Sequence, residues 1–312
     1  SINKSHYTDI PSAFYDSTTF INEFSTNDTT KFSKVSPDLS YNLTSKNINF
    51  EIGAKYEFSE WYTPDSLHRY TSVIGFQRFA WQSNSGAFKI KEKLSYIASG
   101  SNAGDYTASI HASLYTPVLK TTFSLLAITE LRSPDLFFNY NRVNNFYWKN
   151  AFEKTSTNSG SFFIDSKKLQ LTLGTVYRNV NKLIVLDSMA APKQLQKNAV
   201  TARIFLKHHL KLFKFHLENQ INYQSTNAYA LPVPYLYTQH QLYFEHRVKK
   251  NGLRMQIGVQ ANYIDKMDLI SYNPALNSYY LKKSKEQGGG YVFADFFFNV
   301  HFKPVTFFFK AE

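Results

Sequence analysis

Sustained two-residue periodicity, over segments long enough to cross a bilayer, is the feature that most restricts the folds open to this chain. Ile48, Phe50, Ile52, Ala54, Tyr56 and Phe58 alternate with Asn47, Asn49, Glu51, Gly53, Lys55 and Glu57. The pattern returns over residues 106–114, 119–127, 214–224, 253–263 and 292–302. Successive side chains of a strand point to opposite faces, so each segment has one apolar and one polar face. Helical spacing is absent from all of them. Strands of soluble domains average about 5–6 residues, whereas a strand crossing a bilayer needs roughly 9–11.

This reading places strands at about 33–43, 47–58, 67–81, 87–98, 103–115, 119–131, 144–155, 161–178, 199–209, 213–224, 235–248, 253–265, 291–302 and 305–312. The links mostly alternate between short (44–46, 116–118, 210–212, 249–252, 303–304) and long (132–143, 179–198, 225–234, 266–290). Short periplasmic turns and longer external loops are the rhythm of outer-membrane barrels. The expected fold is therefore all-β: a single domain over residues 1–312, a transmembrane antiparallel up-and-down β-barrel. About 14 strands are visible, and completing the topology at both ends gives 16 or more. By that count one or more strands precede Lys31 and a closing C-terminal strand is lacking, while residues 1–30 are a strand or an external loop. The alternative, a soluble β-sandwich or propeller, needs shorter strands or a blade repeat, and no repeat is visible.

Closed barrels and helices are the structures that pair every backbone polar group within lipid. No run of about 18 apolar residues supplies a helix, which leaves the strands. Aromatics make up 17% of the chain, and they fall near the strand ends, where interfacial girdles belong. Phe50, Ile52, Ile110, Leu114, Phe123 and Leu125 are expected to face lipid. So are Phe215, Leu217, Ile257, Val259, Phe296 and Phe298. The opposite face is too charged for a packed core and is expected to line a wet pore. Its predicted lining is Lys55, Lys89, Lys91, Lys93, Lys120 and Arg203, with Lys207, Lys214, Glu218, Arg247 and Arg254. Arg132 and Lys310 join the same set, against Glu51, Glu57, Glu130, Glu245 and Asp295. A basic lining concentrates anions.

The net charge of +12 is spread along the strands, so it does not point to nucleic acid. The absence of cysteine excludes disulfides, thiolate metal sites and cysteine nucleophiles. His208 and His209 are adjacent and must point to opposite faces of a strand. His216, His240 and His246 lie on other strands, with no carboxylate spacing in support, so no metal site is expected. Phosphate-loop, GxSxG and HExxH motifs are absent. The carboxylates mostly sit near basic residues, as charges balanced within a wall. The chain is expected to be no enzyme and to need no cofactor.

From about Leu131 onward the sequence resembles the porin family of the Bacteroidota outer membrane. The resemblance lies in "SPDLFFNYNRVNNFYWKNAF" (133–152), "LPVPYLYTQHQLYFEHRV" (231–248), "ANYIDKMDLISYNPALNSYY" (261–280) and "GGGYVFADFFFNVHFKPVTFFFKAE" (288–312). It implies an outer-membrane β-barrel with a further segment upstream and another loop and closing strand downstream. It implies no particular substrate. The expected surroundings are outer-membrane lipid and lipopolysaccharide, and other outer-membrane proteins or lipoproteins.

Two functions stand at this point. One is a porin passing small hydrophilic solutes with an anion bias. The other is a structural barrel subunit of an outer-membrane secretion or assembly complex, for which Phe293, Phe297 and Phe308 on the predicted inner face offer plugging or contact. Loop 266–290 either folds inward and narrows the pore or stands outside. Asp-Ser-Leu (65–67) and Asp-Ser-Met (187–189), in expected external loops, fit the Asp-Ser/Thr-apolar glycosylation pattern of Bacteroidota.

Overall fold

The computed structural model describes residues 2–7, 20–21, 26–64, 66–248, 252–282 and 286–311. The first wall strands are β1 (Ile2–Tyr7), β2 (Thr26–Val35), β3 (Asp38–Thr44), β4 (Ile48–Thr63), β5 (Ser66–Gln82), β6 (Phe88–Gly100), β7 (Tyr106–Thr116) and β8 (Thr121–Arg132). A single helical turn, α1 (Leu136–Asn139), precedes a hairpin of β9 (Tyr140–Val143) and β10 (Phe146–Lys149). The wall resumes with β11 (Thr155–Ser166) and β12 (Leu171–Asn181), then a small hairpin of β13 (Ile184–Leu186) and β14 (Pro192–Gln194). Next come β15 (Ala199–Leu212), β16 (Phe215–Thr226), β17 (Leu236–Val248) and β18 (Leu253–Ile264). The last long link holds β19 (Met267–Asp268), β20 (Ile270–Asn273), β21 (Ser278–Leu281) and β22 (Gln287–Gly288), before β23 (Tyr291–Phe302) and β24 (Val305–Ala311).

One 16-stranded antiparallel sheet runs from β1 to β24, the wall strands following one another in chain order. β2 and β3 both pair with β4 and behave as one stave broken at Ser36–Pro37. Proline has no N–H to give to a ladder, but the Pro37 carbonyl still accepts from the Tyr56 N–H at 3.0 Å. Among the described residues no helix is long and apolar enough to cross a membrane.

The pairing corrects several sequence boundaries. Residues 144–155 are not a wall strand: Asn144–Asn145 is a two-residue turn closing the β9–β10 hairpin on itself. The expected single strand 161–178 is the hairpin β11–β12, turning at 167–170. Alternation ran through that turn because "KKLQ" contains no Gly, Pro, Asn or Asp, and Gln170 takes the left-handed conformation at φ 49 unaided. The link at 59–66 is not a long loop. β4 and β5 pair as far as Thr63 and Ser66, whose hydroxyls lie 2.9 Å apart, so Ser66 and Leu67 of the Asp-Ser-Leu triplet are strand residues and Asp65 lies outside the described residues. The expected turn at 210–212 sits instead at Phe213–Lys214. A strand ahead of Lys31 is present as β1.

The wall has two unlike faces, and directly paired residues share one. Leu217, Leu242, Val259 and Phe296 form a continuous apolar row across β16, β17, β18 and β23. Phe215, Phe244, Ile257, Phe298 and Phe309 form the row below it. Tyr243 lies on the opposite face beside Gly258, where an added Cβ would come within 2.4 Å of the Leu242 carbonyl oxygen. Glycine there lets the two strands meet under the tyrosine.

An arginine on the apolar face tests the membrane reading of this wall. Val259→Arg is expected to cost about 2–4 kcal/mol, the range for a guanidinium near the middle of a bilayer. The check is the urea midpoint of the protein refolded into vesicles, compared with Gln260→Arg one residue along on the other face. Equal losses at both positions would contradict the face assignment.

Candidate functional site

The polar face is inner by geometry, because residues of the long links fold against it. Counting by two from Lys55 and Glu57 along β4 reaches Ser59 and Trp61, and Trp61 shares a cavity with Phe137 of α1. The predicted lining residues on strands all fall on this face. Lys89, Lys91 and Lys93 pair with Gln82, Ala80 and Arg78 of β5. Arg203 and Lys207 pair with Gln224 and Gln220, and Glu218 with His209. Arg247 pairs with Arg254, which continues to His301. Lys55 pairs with Ile74. Lys120 and Lys214 lie in turns and not on a strand face.

The six acids expected on this face have partners, whereas Asp38, opposite Lys55, and Asp165, on the row of Lys207, form no ion pair among the described residues. Glu51 pairs with Arg78 at 2.9 Å, Glu57 with Lys34 at 2.6 Å and Glu130 with Arg132 at 3.0 Å. Glu245 pairs with Arg247 at 2.7 Å and Asp295 with Lys310 at 3.0 Å. Glu218 accepts from the Tyr243 hydroxyl at 2.9 Å. The surplus is therefore basic: among the described residues Lys89, Lys91, Lys93, Arg178, Lys207 and Arg254 form no ion pair. Lys93 and Arg178 stand on one row, through Ser109, Ile128 and Ser159. Lys91 and Arg203 stand on the adjacent row, through His111, Leu126, Ser161 and Val176. Arg203 also donates to Asn222 at 2.6 Å and lies over the Phe205 ring at 5.0 Å. These cations thus form two pairs on adjacent rows, Lys91 with Lys93 on β6 and Arg178 with Arg203 on β12 and β15, with β7, β8 and β11 between them.

The predicted lipid-facing residues lie on the other face. Phe50 and Ile110 belong to the row of Phe79, Leu114 pairs with Phe123, and Leu125 pairs with Phe162. Ile52 is 49% exposed and Leu125 54%. Sequence reading missed several polar groups on this face, among them the ion pair of Glu60 with Arg69 at 2.9 Å. Glu92 stands between Phe79 and Ile110, accepting from Gln77 at 3.3 Å. His240 lies against Asn219 at 2.8 Å, in the row of His208.

Histidines separated in sequence meet on the inner face. His209 Nε2 and His216 Nδ1 are 2.8 Å apart across the β15–β16 turn, and the His216 ring lies parallel to Tyr243 at 4.7 Å. Phe297 packs against Tyr243 from β23, whereas Phe308 of β24 is 81% exposed. Among the described residues no group of three or more His, Asp or Glu is placed to hold a metal.

The long links close over one end of the sheet. Val143 and Trp148 of the 133–154 link, Leu186 and Ala190 of the β13–β14 hairpin and Leu276 of the 265–290 link form one buried apolar cluster. The Trp148 indole N–H donates to the Phe137 carbonyl at 2.6 Å, and the two rings meet edge to face at 5.2 Å. Trp148 is thus a lid residue and not part of an interfacial girdle. The lid is tied down at its edges. The Asn144 N–H donates to the Asp28 carboxylate at 3.1 Å, Lys154 pairs with Asp105 at 2.9 Å, and Tyr140 meets His68 edge-on. The segment 275–278 of loop 266–290 folds inward: Ala275–Ser278 share a cavity of about 200 Å³ with Phe32 and Trp61 on the inner wall. Beneath the 133–137 segment lies a larger cavity of about 590 Å³, walled by β2, β4, β5, β6 and β8. The Asp-Ser-Met triplet turns the β13–β14 hairpin, with Asp187 accepting from the Met189 and Ala191 N–H groups.

Comparison with known proteins agrees with this architecture. The model of the family described as "Putative porin" matches residues 3–312. No curated protein matches the sequence. Among solved structures, the chain is similar to the copper transporter OprC, with a TM-score of 0.67 at 11% identity, over 91% of this chain and 50% of that one. A mutant of the ferric enterobactin receptor PfeA from Pseudomonas aeruginosa gives 0.65 at 11% identity, over 91% and 48%. An FrpB iron transporter from Neisseria meningitidis gives 0.60 at 10% identity, over 89% and 49%. At these identities the likeness is one of fold, that of outer-membrane β-barrels. The chain spans about half the length of these barrels.

Proposed function

Because the chain belongs to the family described as "Putative porin", and so acts as a channel-like protein of the bacterial outer membrane, we propose that it passes small hydrophilic solutes by diffusion with a preference for anions. The observation behind the preference is the unpaired basic surplus on the inner face, with Lys91, Lys93, Arg178 and Arg203 on two adjacent rows. The reading is non-enzymatic and uses no cofactor. Its partners are outer-membrane lipid and lipopolysaccharide on the apolar face, and other outer-membrane proteins or lipoproteins. The Bacteroidota source rests on the resemblance of the four segments from 133 to 312.

A second reading has one specific observation in its favour. The long links pack into a lid with its own apolar core, and a lumen covered by its own chain suits a structural subunit of a secretion or assembly complex. Single-channel recording of the full-length protein in a planar bilayer decides between them. Discrete steps with an anion-shifted reversal potential under a salt gradient support the channel. A folded, heat-modifiable protein without steps favours the structural subunit.

A further inference from the structure

We propose that the cavity beneath the lid binds a short neutral saccharide, with Trp61 as its platform; this rests on the channel reading and names a solute class for it. The cavity measures about 590 Å³ and lies within the roughly 300–1,000 Å³ usual for small-molecule sites. Its charged lining residues are engaged with one another or with neighbours. Lys34 holds Glu57 at 2.6 Å, and Arg132 holds Glu130 at 3.0 Å. Asp105 pairs with Lys154 at 2.9 Å and accepts from the Ser133 N–H at 2.7 Å and the Ser133 hydroxyl at 2.8 Å. Asp135, which also lines the cavity, is exposed. An anionic ligand would have to compete with Glu57, Glu130 and Asp105 for the basic groups here and would meet the Asp135 carboxylate, which is free among the described residues, so the cavity favours an uncharged ligand over an anion.

Aromatic surface is gathered on one side. Phe32 lies beside Trp61 at 6.4 Å, and Phe137 approaches from the lid. A pyranose ring offers an apolar C–H face to such a platform and hydroxyls around its edge. Trp61 lines both this cavity and the smaller one next to it. Its indole N–H is buried and has no acceptor among the described residues. A buried donor without a partner is costly, and a small turn of the ring toward the cavity would let a ligand hydroxyl oxygen satisfy it. Ser59, Ser95, Asn102 and Thr107 add neutral donors and acceptors on the wall side. Flat aromatic faces, neutral hydrogen-bonding groups and internally compensated charges together select a polyhydroxylated, uncharged ligand over a phosphate or carboxylate.

The test is a tryptophan-fluorescence titration of the full-length protein in detergent, with maltotriose and cellotriose as neutral probes and trigalacturonate as the charged control. At least one neutral trisaccharide is expected to give a saturable change, and trigalacturonate a weaker one. Trp61→Ala is expected to weaken binding on the order of tenfold, the scale of a lost aromatic contact. Trp61→Phe keeps a ring, loses the N–H donor and should fall between the two. If Trp61→Ala does not fold, Phe137→Ala in the lid serves as the second variant with the same expected direction. No saturable response to either neutral probe, a response unchanged by both variants, or tighter binding of trigalacturonate would overturn the proposal. Bilayer recording on the same preparation separates the two readings. Conductance steps without a saccharide response sink the site alone, and a saccharide response without steps sinks the channel alone.

Discussion

Neutralising Lys91, Lys93, Arg178 and Arg203 to glutamine is expected to abolish the anion preference proposed for the channel. The reversal potential under a salt gradient should move to near that of a non-selective pore. The four side chains occupy two adjacent rows of the inner wall, and the acids nearby already have partners: Glu51 is held by Arg78 and Glu130 by Arg132. Their fields are therefore not cancelled by those two acids. An inner potential of about one kT raises anions and depletes cations by roughly 2.7-fold each, so the ratio changes about sevenfold. The effect should weaken at high salt, where the Debye length falls to about 3 Å at 1 M. Charge-neutral swaps on the outer face, such as Thr175→Ser, provide the baseline. A quadruple variant that keeps the wild-type reversal potential would show that selectivity is set elsewhere.

Trp148→Ala is expected to dissolve the lid while leaving the wall intact. Trp148 is 7% exposed and central to the apolar cluster that joins three separate links. Its removal deletes the contact with Phe137 and the hydrogen bond to the Phe137 carbonyl, and truncations of this kind cost about 3–5 kcal/mol. The lid has few buried apolar residues, so such a loss exceeds what its remaining contacts supply. The wall draws its stability from backbone ladders and from lipid, neither of which Trp148 touches. The expected results are higher conductance, rapid protease cleavage within 140–149, and an unchanged heat-modifiable shift. A lid that stays protease-resistant would place its stability in the edge ties, Asp28 with Asn144 and Asp105 with Lys154.

How far the sequence could be read depended on which physical signal each part left. The wall was legible because lipid on one side and water on the other impose alternation residue by residue. That is why Leu217, Val259 and Phe296 fell on the expected face without any knowledge of pairing. Turn positions were harder, since "KKLQ" at 167–170 and "FK" at 213–214 use residues with no turn preference. The lid was not legible. Its strands β9, β10, β20 and β21 are four residues each, too short for periodicity to register, and their aromatics mimic a membrane girdle. Trp61 could have been placed inward by counting from Lys55 and Glu57, but its aromatic character pointed to an interface. The pairing of Glu92 with Gln77, and of His209 with His216, depends on cross-strand register, which alternation within one strand does not encode.

The lid also bears on the order in which the molecule assembles. Leu276 and Ser278 stand beside Phe32 and Trp61 on the wall, so residues more than 200 positions apart in sequence meet there. Contacts of such sequence separation reward the chain only after the loop-closure entropy of everything between them has been spent. They form late, once the staves have already bent the sheet round.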